Sequence, residues 1–182
     1  MERLESIAEQ IAKQRNPPVH LWHPENIGTI DIRINSQGFW FHEGDPIQRE
    51  ELVRLFASIL WFEDDQHFLV TPVEKLSIDV EDVPFVIQQM EHVRESGKEY
   101  WVAVSNTHEQ FIVSADHPVE LRQYQGEWVP YLNLRYQLWA RVNRSIYYQW
   151  VTAAMDRQES ENAPLTLESD GYEFEVARNS DP

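Results

Sequence analysis

The residues best suited to chemistry in this chain are arginines and aromatic residues of its second half. Arg135, Arg141 and Arg144 lie close together in the sequence, and Tyr147 and Tyr148 follow directly. Guanidinium groups bind phosphates and carboxylates through paired hydrogen bonds, and an aromatic ring offers a face for stacking. The cluster could therefore bind an anion or a stacked base. The competing interpretation is a helix whose arginines neutralise neighbouring acids.

A second candidate lies where the two halves of the chain join. The segment Thr71-Pro72-Val73-Glu74-Lys75 is charged, and Asp82 follows shortly before Pro84. Ionisable groups and prolines here interrupt hydrophobic strands, and fixed loops beside sheets often carry sites. The alternative is that Glu74 and Lys75 only pair with other charges, such as Arg49 or Asp82, and that the prolines shape the crossover.

Metal binding has weaker support in the sequence. His20 and His23 are three positions apart and could share an ion, but they lie in a loop flanked by prolines, without an obvious third ligand. Asp79, Glu81 and Asp82 offer clustered oxygens, yet strand alternation places Asp79 and Glu81 on one solvated face. No metal and no cofactor is therefore expected.

Common enzyme signatures are absent from the sequence. The 6 glycines are spread so widely that no GxGxxG or P-loop phosphate cradle can form, and no GxSxG, HExxH or SxxK motif occurs. With 0 cysteines, thiolate nucleophiles, disulfides and Cys-type metal sites are excluded. No catalytic residue is assigned. If there is catalysis, Glu74 or Asp82 would act as general base beside an arginine.

The charge of the chain excludes further classes of partner. With 15 Lys plus Arg against 31 Asp plus Glu, the net charge of -16 repels phosphate backbones and anionic lipid surfaces. The first residues carry charge where a secretory signal needs an apolar run, and no segment approaches the ~20 apolar residues of a membrane span. We expect a soluble, cytoplasmic protein without a nucleic-acid or membrane partner. The oligomeric state does not follow from the sequence.

Hydrophobic periodicity predicts an α+β fold. In the first half we expect a helix over residues 3–13, a hairpin of strands at 29–35 and 39–41, and strands at 67–70 and 74–80. Asp45-Pro46 resembles a helix start, and residues 52, 55, 56, 59 and 60 would supply the buried stripe of that helix.

The second half reads mostly as sheet. Strands are expected at 85–94, 99–105, 109–114 and 119–124. Apolar residues at 134, 138, 142, 146, 150 and 154 predict a closing helix that starts between Tyr131 and Leu138, and residues 165–176 predict a terminal hairpin. The expected organisation is a helix and linker at 1–24, subdomains at 25–83 and 84–157, and a polar terminal segment at 158–182.

A weak internal repeat supports two copies of one motif. Gly38-Phe39-Trp40 and Gly126-Glu127-Trp128 are each followed by an arginine, a leucine three residues later and an expected helix. Matches this short also arise by chance, so the sequence leaves duplication open.

Several blocks together resemble the bacterial domain-of-unknown-function family DUF1285. In the first half they are Gly28 to Ile34, Gly38 to Phe41, Asp45 to Arg49, Leu52 to Phe56, Thr71 to Lys75 and Val80 to Phe85; in the second half they are Arg135 to Tyr148 and Ser169 to Phe174. The resemblance covers most of the chain. The last block matches least well, because Glu173 stands where the family has a small or aromatic residue.

The resemblance implies tandem strand-rich subdomains with a repeated core motif, the second similar to a pleckstrin-homology sheet closed by a C-terminal helix. It also implies a ligand cleft between the halves, with a nucleotide-like molecule and a role in signal transduction as expectations. Positions that match the family's motifs and could face this cleft are Arg33, Arg49, Thr71, Glu74, Lys75, Asp82, Arg135, Arg141 and Arg144. A hydrolase-like enzyme and a protein-interaction scaffold remain the alternatives. Whether Arg49 and Arg135 share one cleft is the geometric test.

Overall fold

Strands dominate the computed structural model, which describes residues 2–178. The first half contains α1 (Glu2–Lys13), a short 3-10 helix (Val19–Leu21), β1 (Asn26–Ile34), β2 (Trp40–His42), β3 (Asp45–Pro46), α2 (Glu50–Ser58), β4 (Leu60–Glu63), β5 (Gln66–Val70) and β6 (Glu74–Val80). The second half contains β7 (Phe85–Glu95), β8 (Lys98–Ser105), β9 (Gln110–Ile112), β10 (Val119–Tyr124), β11 (Glu127–Arg135), β12 (Leu138–Val142), α3 (Arg144–Met155), β13 (Leu165–Ser169) and β14 (Tyr172–Ala177). This confirms the predicted α+β class. The predicted terminal segments include residues 1 and 179–182, which lie outside the described residues.

The two large sheets share one topology. Their strand orders are β3-β2-β1-β6-β5-β4 and β10-β11-β12-β7-β8-β9. In each, two antiparallel meanders of three strands meet at a central parallel pair, β1 with β6 and β12 with β7. The helix is placed differently, because α2 lies between the third and fourth strands of its half and α3 follows the sixth. A repeated core motif is therefore confirmed.

The residues that suggested the repeat are not equivalent in this topology. Trp40 begins the second strand of its half, whereas Trp128 lies in the fifth strand of the other. The structural repeat is thus carried by strand order, while the short sequence match is unrelated to it. The likeness of the second half to a pleckstrin-homology fold stays a prediction.

The predicted closing helix is wrong in its first part. Residues 127–135 and 138–142 form strands β11 and β12, and the helix begins only at Arg144, where the Asn143 side chain accepts a hydrogen bond from the amide of Ile146. Leu134 and Leu138 are both buried, but from two strands across a turn. Apolar residues four apart fit a helix as well as this hairpin, and the turn residue Tyr136 adopts a φ of 51° without any glycine to signal it.

The predicted helix start at Asp45 is also wrong. Asp45–Pro46 forms β3 and pairs with β2, and the Ile47 amide donates to the Trp40 carbonyl. The helix α2 begins at Glu50 after Arg49 and ends at Ser58, so Leu60 belongs to β4 and Leu55 is 57% exposed. Strand pairing has overridden a favourable capping pattern.

One hydrophobic core holds both halves together. Ile32, Trp40 and Ile78 from the first sheet join Phe85 and Trp150 from the second half in a single cluster of buried side chains. The hairpin of β13 and β14 packs on α3, β8, β10 and β11. The continuous core fixes how the two halves face each other. Within residues 2–178, no helix is long and apolar enough to cross a bilayer.

Candidate functional site

A cavity of about 480 Å³ lies between the two halves. The first half contributes the β1–β2 turn, the residues around β3 and one face of α2. The second half contributes one residue of β7 and the turn between β8 and β9. The lining residues are Gln37, Gly38, Phe39, Trp40, Pro46, Ile47, Gln48, Glu50, Val53, Arg54, Gln88, Asn106, Thr107 and His108.

The Asn106 side chain joins the two walls of this cavity. Its Nδ2 donates to the Gly38 carbonyl at 3.1 Å, and its Oδ1 accepts from the Val86 amide at 3.1 Å. Gly38 has a φ of +83°, and a Cβ there would lie 2.6 Å from Asn106 Nδ2. Only glycine therefore satisfies both the left-handed backbone and the close approach of the amide.

The polar groups around the cavity are mostly uncharged. Gln37, Gln48 and Gln88 come from three separate segments, and none of their side chains has a hydrogen-bond partner among residues 2–178. A carboxamide offers both donors and an acceptor. Beside them, the Phe39 ring is 59% exposed and Ile47 and Val53 are half-buried. The cavity can thus receive a flat apolar body with polar edges.

Arg135 links the second half to the end of α2. One of its terminal nitrogens lies 3.1 Å and 3.0 Å from the two oxygens of Glu109, and the other donates to the Ala57 carbonyl at 2.8 Å. The side chain is only 13% exposed, and its guanidinium lies 5.3 Å from the centre of the Phe85 ring. A cation at a helix C-terminus stabilises the free carbonyls there. Arg135 is thus a connection between the halves.

Arg141 makes a second connection of the same kind. It lies on β12, where a helix was predicted, and it pairs with Asp82 at 2.5 Å while donating to the Ser36 carbonyl in the β1–β2 turn. The Tyr131 hydroxyl donates to both Asp82 oxygens at 3.0 Å. Burial, and then the negative charge of Asp82, raise the pKa of Tyr131 well above its ordinary value. The hydroxyl therefore stays protonated as a donor.

The other predicted first-half residues make local contacts. Arg33 pairs with Glu81 at 3.1 Å on the exposed face of β1. The Thr71 hydroxyl accepts from the amides of Val73 and Glu74 and so closes the β5–β6 turn. Lys75 pairs with Glu63, and its Nζ lies 4.3 Å from the centre of the Phe68 ring.

Arg49 and Arg144 are exposed at the starts of the two later helices. Arg49 precedes α2, and its side chain makes no ion pair or hydrogen bond with another residue of the described range 2–178. Arg144 begins α3, is 70% exposed and lies 3.4 Å from Glu127. Arg141, Arg144, Tyr124 and Tyr147 line a smaller cavity of about 210 Å³.

The predicted site residues are therefore not gathered at one place. None of them lines the large cavity, and Arg49 and Arg135 do not meet in it. Arg33, Asp82 and Arg141 do come together near the crossover, because Glu81 accepts from both Arg33 and the Ser36 amide, and the Ser36 carbonyl accepts from Arg141.

Sequence reasoning missed the residues that line the large cavity. Glutamines and asparagine carry no spacing signal, and they come from segments far apart in the chain. Gly38, Phe39 and Trp40 entered the sequence analysis as a repeat and a strand, and Pro46 as a helix start, but none of them as a cavity residue. An isolated glycine between two strands, such as Gly38, is the signal that marks a close backbone approach.

The described residues 2–178 contain no group of three or more His, Asp or Glu side chains arranged to hold a metal ion. The Nδ1 atom of His20 instead lies 2.7 Å from the Tyr136 hydroxyl. Of the proposed oxygen ligands, Glu81 and Asp82 pair with Arg33 and Arg141.

Comparison with known proteins gives one consistent family. Residues 17–83 match the N-terminal domain of a family described as a domain of unknown function, DUF1285, and residues 84–176 match the C-terminal domain described as a DUF1285 protein of unknown function. No curated protein matches the chain.

Two crystal structures of DUF1285 family proteins are similar to this one. The protein from Silicibacter pomeroyi DSS-3 is 36% identical with a TM-score of 0.79, and the alignment covers 96% of this chain and 93% of that chain. The protein from Shewanella baltica OS155 is 30% identical with a TM-score of 0.53, and the alignment covers 66% of this chain and 90% of that one. The family matches together span both sheets, and the chain belongs to the DUF1285 family.

Proposed function

We propose that this protein is a regulatory ligand-binding protein whose large cavity takes an anionic, nucleotide-like small molecule between the two halves. The observation that carries the proposal is the cavity itself. Its volume of about 480 Å³ falls within the ~300–1,000 Å³ of typical small-molecule sites. It lies at the junction of two subdomains, where such sites are common.

The lining supports a ligand with a flat ring and polar edges. Phe39 and Pro46 offer faces for a planar group, and the free amides of Gln37, Gln48 and Gln88 can pair with ring nitrogens and exocyclic groups. Arg54 is the one arginine of the lining, and it can meet a negative charge.

The hydrogen bonds that the carboxylates already make favour binding over catalysis as the function of this protein. Asp82 and Glu109 already accept hydrogen bonds from Arg141 and Arg135, so neither is a free general base. Glu74 is the first residue of β6 and does not line the large cavity. The arginines that would hold an anion in an enzyme of this kind instead connect the halves.

The same connections support a regulatory role. Arg141 holds the β1–β2 turn and Arg135 holds the end of α2, and both elements form first-half walls of the cavity. A ligand that contacts both walls would add to these links and stabilise this arrangement of the two walls relative to any other, because it binds this arrangement more tightly.

Thermal unfolding with a panel of nucleosides, nucleotides and unrelated metabolites tests the proposal. At ~100-fold excess over its dissociation constant, a bound ligand stabilises the native state by ~2.7 kcal/mol. In the Val53→Trp variant, the larger ring fills the cavity and the shift should vanish. Leu55→Trp is the matched control, because it lies on the same helix but is 57% exposed and away from the cavity.

Two results would contradict the proposal. The first is a panel in which no nucleotide or related compound raises the unfolding temperature of the wild type. The second is an equal shift in wild type, Val53→Trp and Leu55→Trp, which would place the binding elsewhere. Circular dichroism of both variants without ligand separates lost binding from lost folding.

A further inference from the structure

A second cavity adjoins the large one. It measures about 240 Å³ and shares Arg54, Thr107 and His108 with the large cavity. Its remaining lining comes mainly from the segment after α1, which contributes Gln14, Arg15 and Asn16. We call this second cavity the basin. Because three residues line both cavities, the basin and the large cavity are adjacent.

The segment that carries Arg15 is fixed to the second half. Gln14 Nε2 donates to the Gln110 carbonyl at 2.8 Å, and its Oε1 accepts from the Gln110 amide. Asn16 Nδ2 donates to Glu109 at 3.2 Å. Arg15 lies between these two anchors, is exposed, and forms no ion pair with any residue in the range 2–178. Arg15 thus lines the basin between two anchored neighbours, and no carboxylate of the described residues pairs with its guanidinium.

The charges around the basin sum to a positive value. Glu109 is compensated by Arg135 through both oxygens. Glu50 lies 3.4 Å from Arg54 and 3.7 Å from His108, but it is 72% exposed, so solvent screens both pairs. Arg15 therefore leaves the group with one net positive charge even when His108 is neutral. In a chain of net charge -16, such a position is a local exception.

We propose that the basin binds the phosphate group of a phosphate monoester whose remaining part occupies the large cavity. This rests on the proposed function and deepens it, because it names the ligand class and adds Arg15 to the site. Arg15 follows α1 and Arg54 lies on α2, and each guanidinium can donate paired hydrogen bonds to a dianion. Residue 15 lies outside the family match, which begins at residue 17.

Titration with inorganic phosphate at constant ionic strength, followed by nuclear magnetic resonance of the amides and the arginine side chains, tests the basin directly. We expect perturbed signals at Arg15, Arg54 and His108. Removing one charged donor should weaken phosphate binding about five- to tenfold, or ~1–1.4 kcal/mol, because solvent reaches both arginines and reduces the strength of their charged hydrogen bonds. Arg15→Gln and Arg54→Gln should each show this loss, and Arg144→Gln, an exposed arginine away from the basin, should not.

Two comparisons of affinity complete the test of the basin, one between anions and one between wild type and Arg15→Gln. Acetate, which carries a single charge, should bind at least fivefold more weakly than phosphate, and equal affinities would overturn the assignment to phosphate. Equal phosphate affinity in wild type and Arg15→Gln, or no perturbation at the basin, would also overturn it.

Adenosine has no phosphate group, so its binding tests the large cavity separately from the basin. Its binding should be lost in Val53→Trp and kept in Arg15→Gln, whereas phosphate binding should be kept in Val53→Trp. If adenosine binds as expected but phosphate does not, the basin assignment fails and the proposed function stands. If phosphate perturbs the basin but no nucleoside or nucleotide responds to Val53→Trp, the proposed function fails, and with it the assignment of the basin to a larger ligand.

Discussion

Arg141 and Asp82 form the most enclosed charged contact at the crossover between the halves. Their side chains are 12% and 19% exposed, and the Tyr131 hydroxyl completes the shell of Asp82. Taking two charges out of water is costly, and the pair offsets this cost only while both partners are present. The contact therefore serves mainly to position the chain. It fixes the Ser36 carbonyl, and with it the β1–β2 turn, against β12.

Replacing Arg141 by Met should destabilise the protein by about 2–3 kcal/mol, because Asp82, which is only 19% exposed, is left without its cation. Urea denaturation measures the loss. The double variant with Asp82→Asn should recover part of it. Arg33→Met is the control, since its pair with Glu81 is about half exposed and should cost less than ~1 kcal/mol. Equal losses for Arg141→Met and Arg33→Met would contradict this account.

His67 gives stability a dependence on pH. The centre of its ring lies 4.7 Å from that of Phe62, with the two planes tilted by 51°, and burial lowers the pKa of His67 to about 4. The unfolded chain takes up this proton near pH 6.5, whereas the folded chain resists it, so the stabilisation is complete above pH 6.5 and declines as the pH falls toward 4. Between pH 6.5 and pH 5 the free energy of unfolding should fall by ~2 kcal/mol.

Chemical denaturation at several pH values between 7 and 5 checks the effect of His67. The His67→Leu variant should lose most of this slope, and a variant of an exposed histidine, His42→Gln, should keep it. An unchanged slope in His67→Leu would show that other groups set the pH dependence.

The two-residue hairpin loops follow one conformational rule at the scale of elements. In five of the six, both loop residues have positive φ, whereas in the β11–β12 loop only Tyr136 does. Four of these five place glycine second: Glu43-Gly44, Ser96-Gly97, Gln125-Gly126 and Asp170-Gly171. The β4–β5 loop has no glycine, with Asp64 at 50° and Asp65 at 58°. A residue with a Cβ is strained in this region, and glycine is not.

Asp65→Gly should therefore stabilise the protein by about 0.5–1 kcal/mol. For a chain of this size the melting temperature should rise by ~1–3 °C, measured by calorimetry. Asp65→Ser is the control for removal of the charge alone. It keeps the backbone strain and should give little or no increase in melting temperature. A larger gain for Asp65→Ser than for Asp65→Gly would assign the effect to charge repulsion with Asp64.

How far the sequence predicts these elements depends on the period of their apolar residues. Strict alternation predicted β6 at its full length, and a glycine turn predicted the hairpin of β13 and β14. The strands β11 and β12 were missed because Leu134, Leu138 and Val142 also fit a helix. Which period applies is decided by tertiary pairing of β12 with β7, and no local pattern contains that information.

The candidate site was harder to predict than the fold. Arg135 and Arg141 are candidate site residues because they are charged. The sequence does not reveal whether the partner of such a charge is a ligand or a carbonyl of the other half. Arg15 and His108 line one cavity, and Gln88 and His108 line the other, only through the packing of distant segments. The family resemblance predicts a cleft between the halves, whereas the lining of the cavity depends on the tertiary packing of segments far apart in the chain.

At the scale of the whole molecule, the continuous core makes the halves dependent on each other. Side chains of both sheets share one buried cluster, and Arg135, Arg141 and Asn106 all donate from the second half to first-half carbonyls. We therefore expect a single unfolding transition in calorimetry, with equal calorimetric and van't Hoff enthalpies. Two resolved transitions would contradict this, and saturating ligand should move the single transition without splitting it.

The parallel pair at the centre of each sheet also determines when the chain can fold during synthesis. The pair joins the first strand of a half to its last, so β1 must wait for β6, and β7 must wait for β12. Closing such distant contacts is slow compared with forming hairpins. A ribosome that has released only part of either half therefore carries a nascent chain with hydrophobic strands still uncovered. The time until Val142 has emerged is the period in which this protein depends most on chaperones.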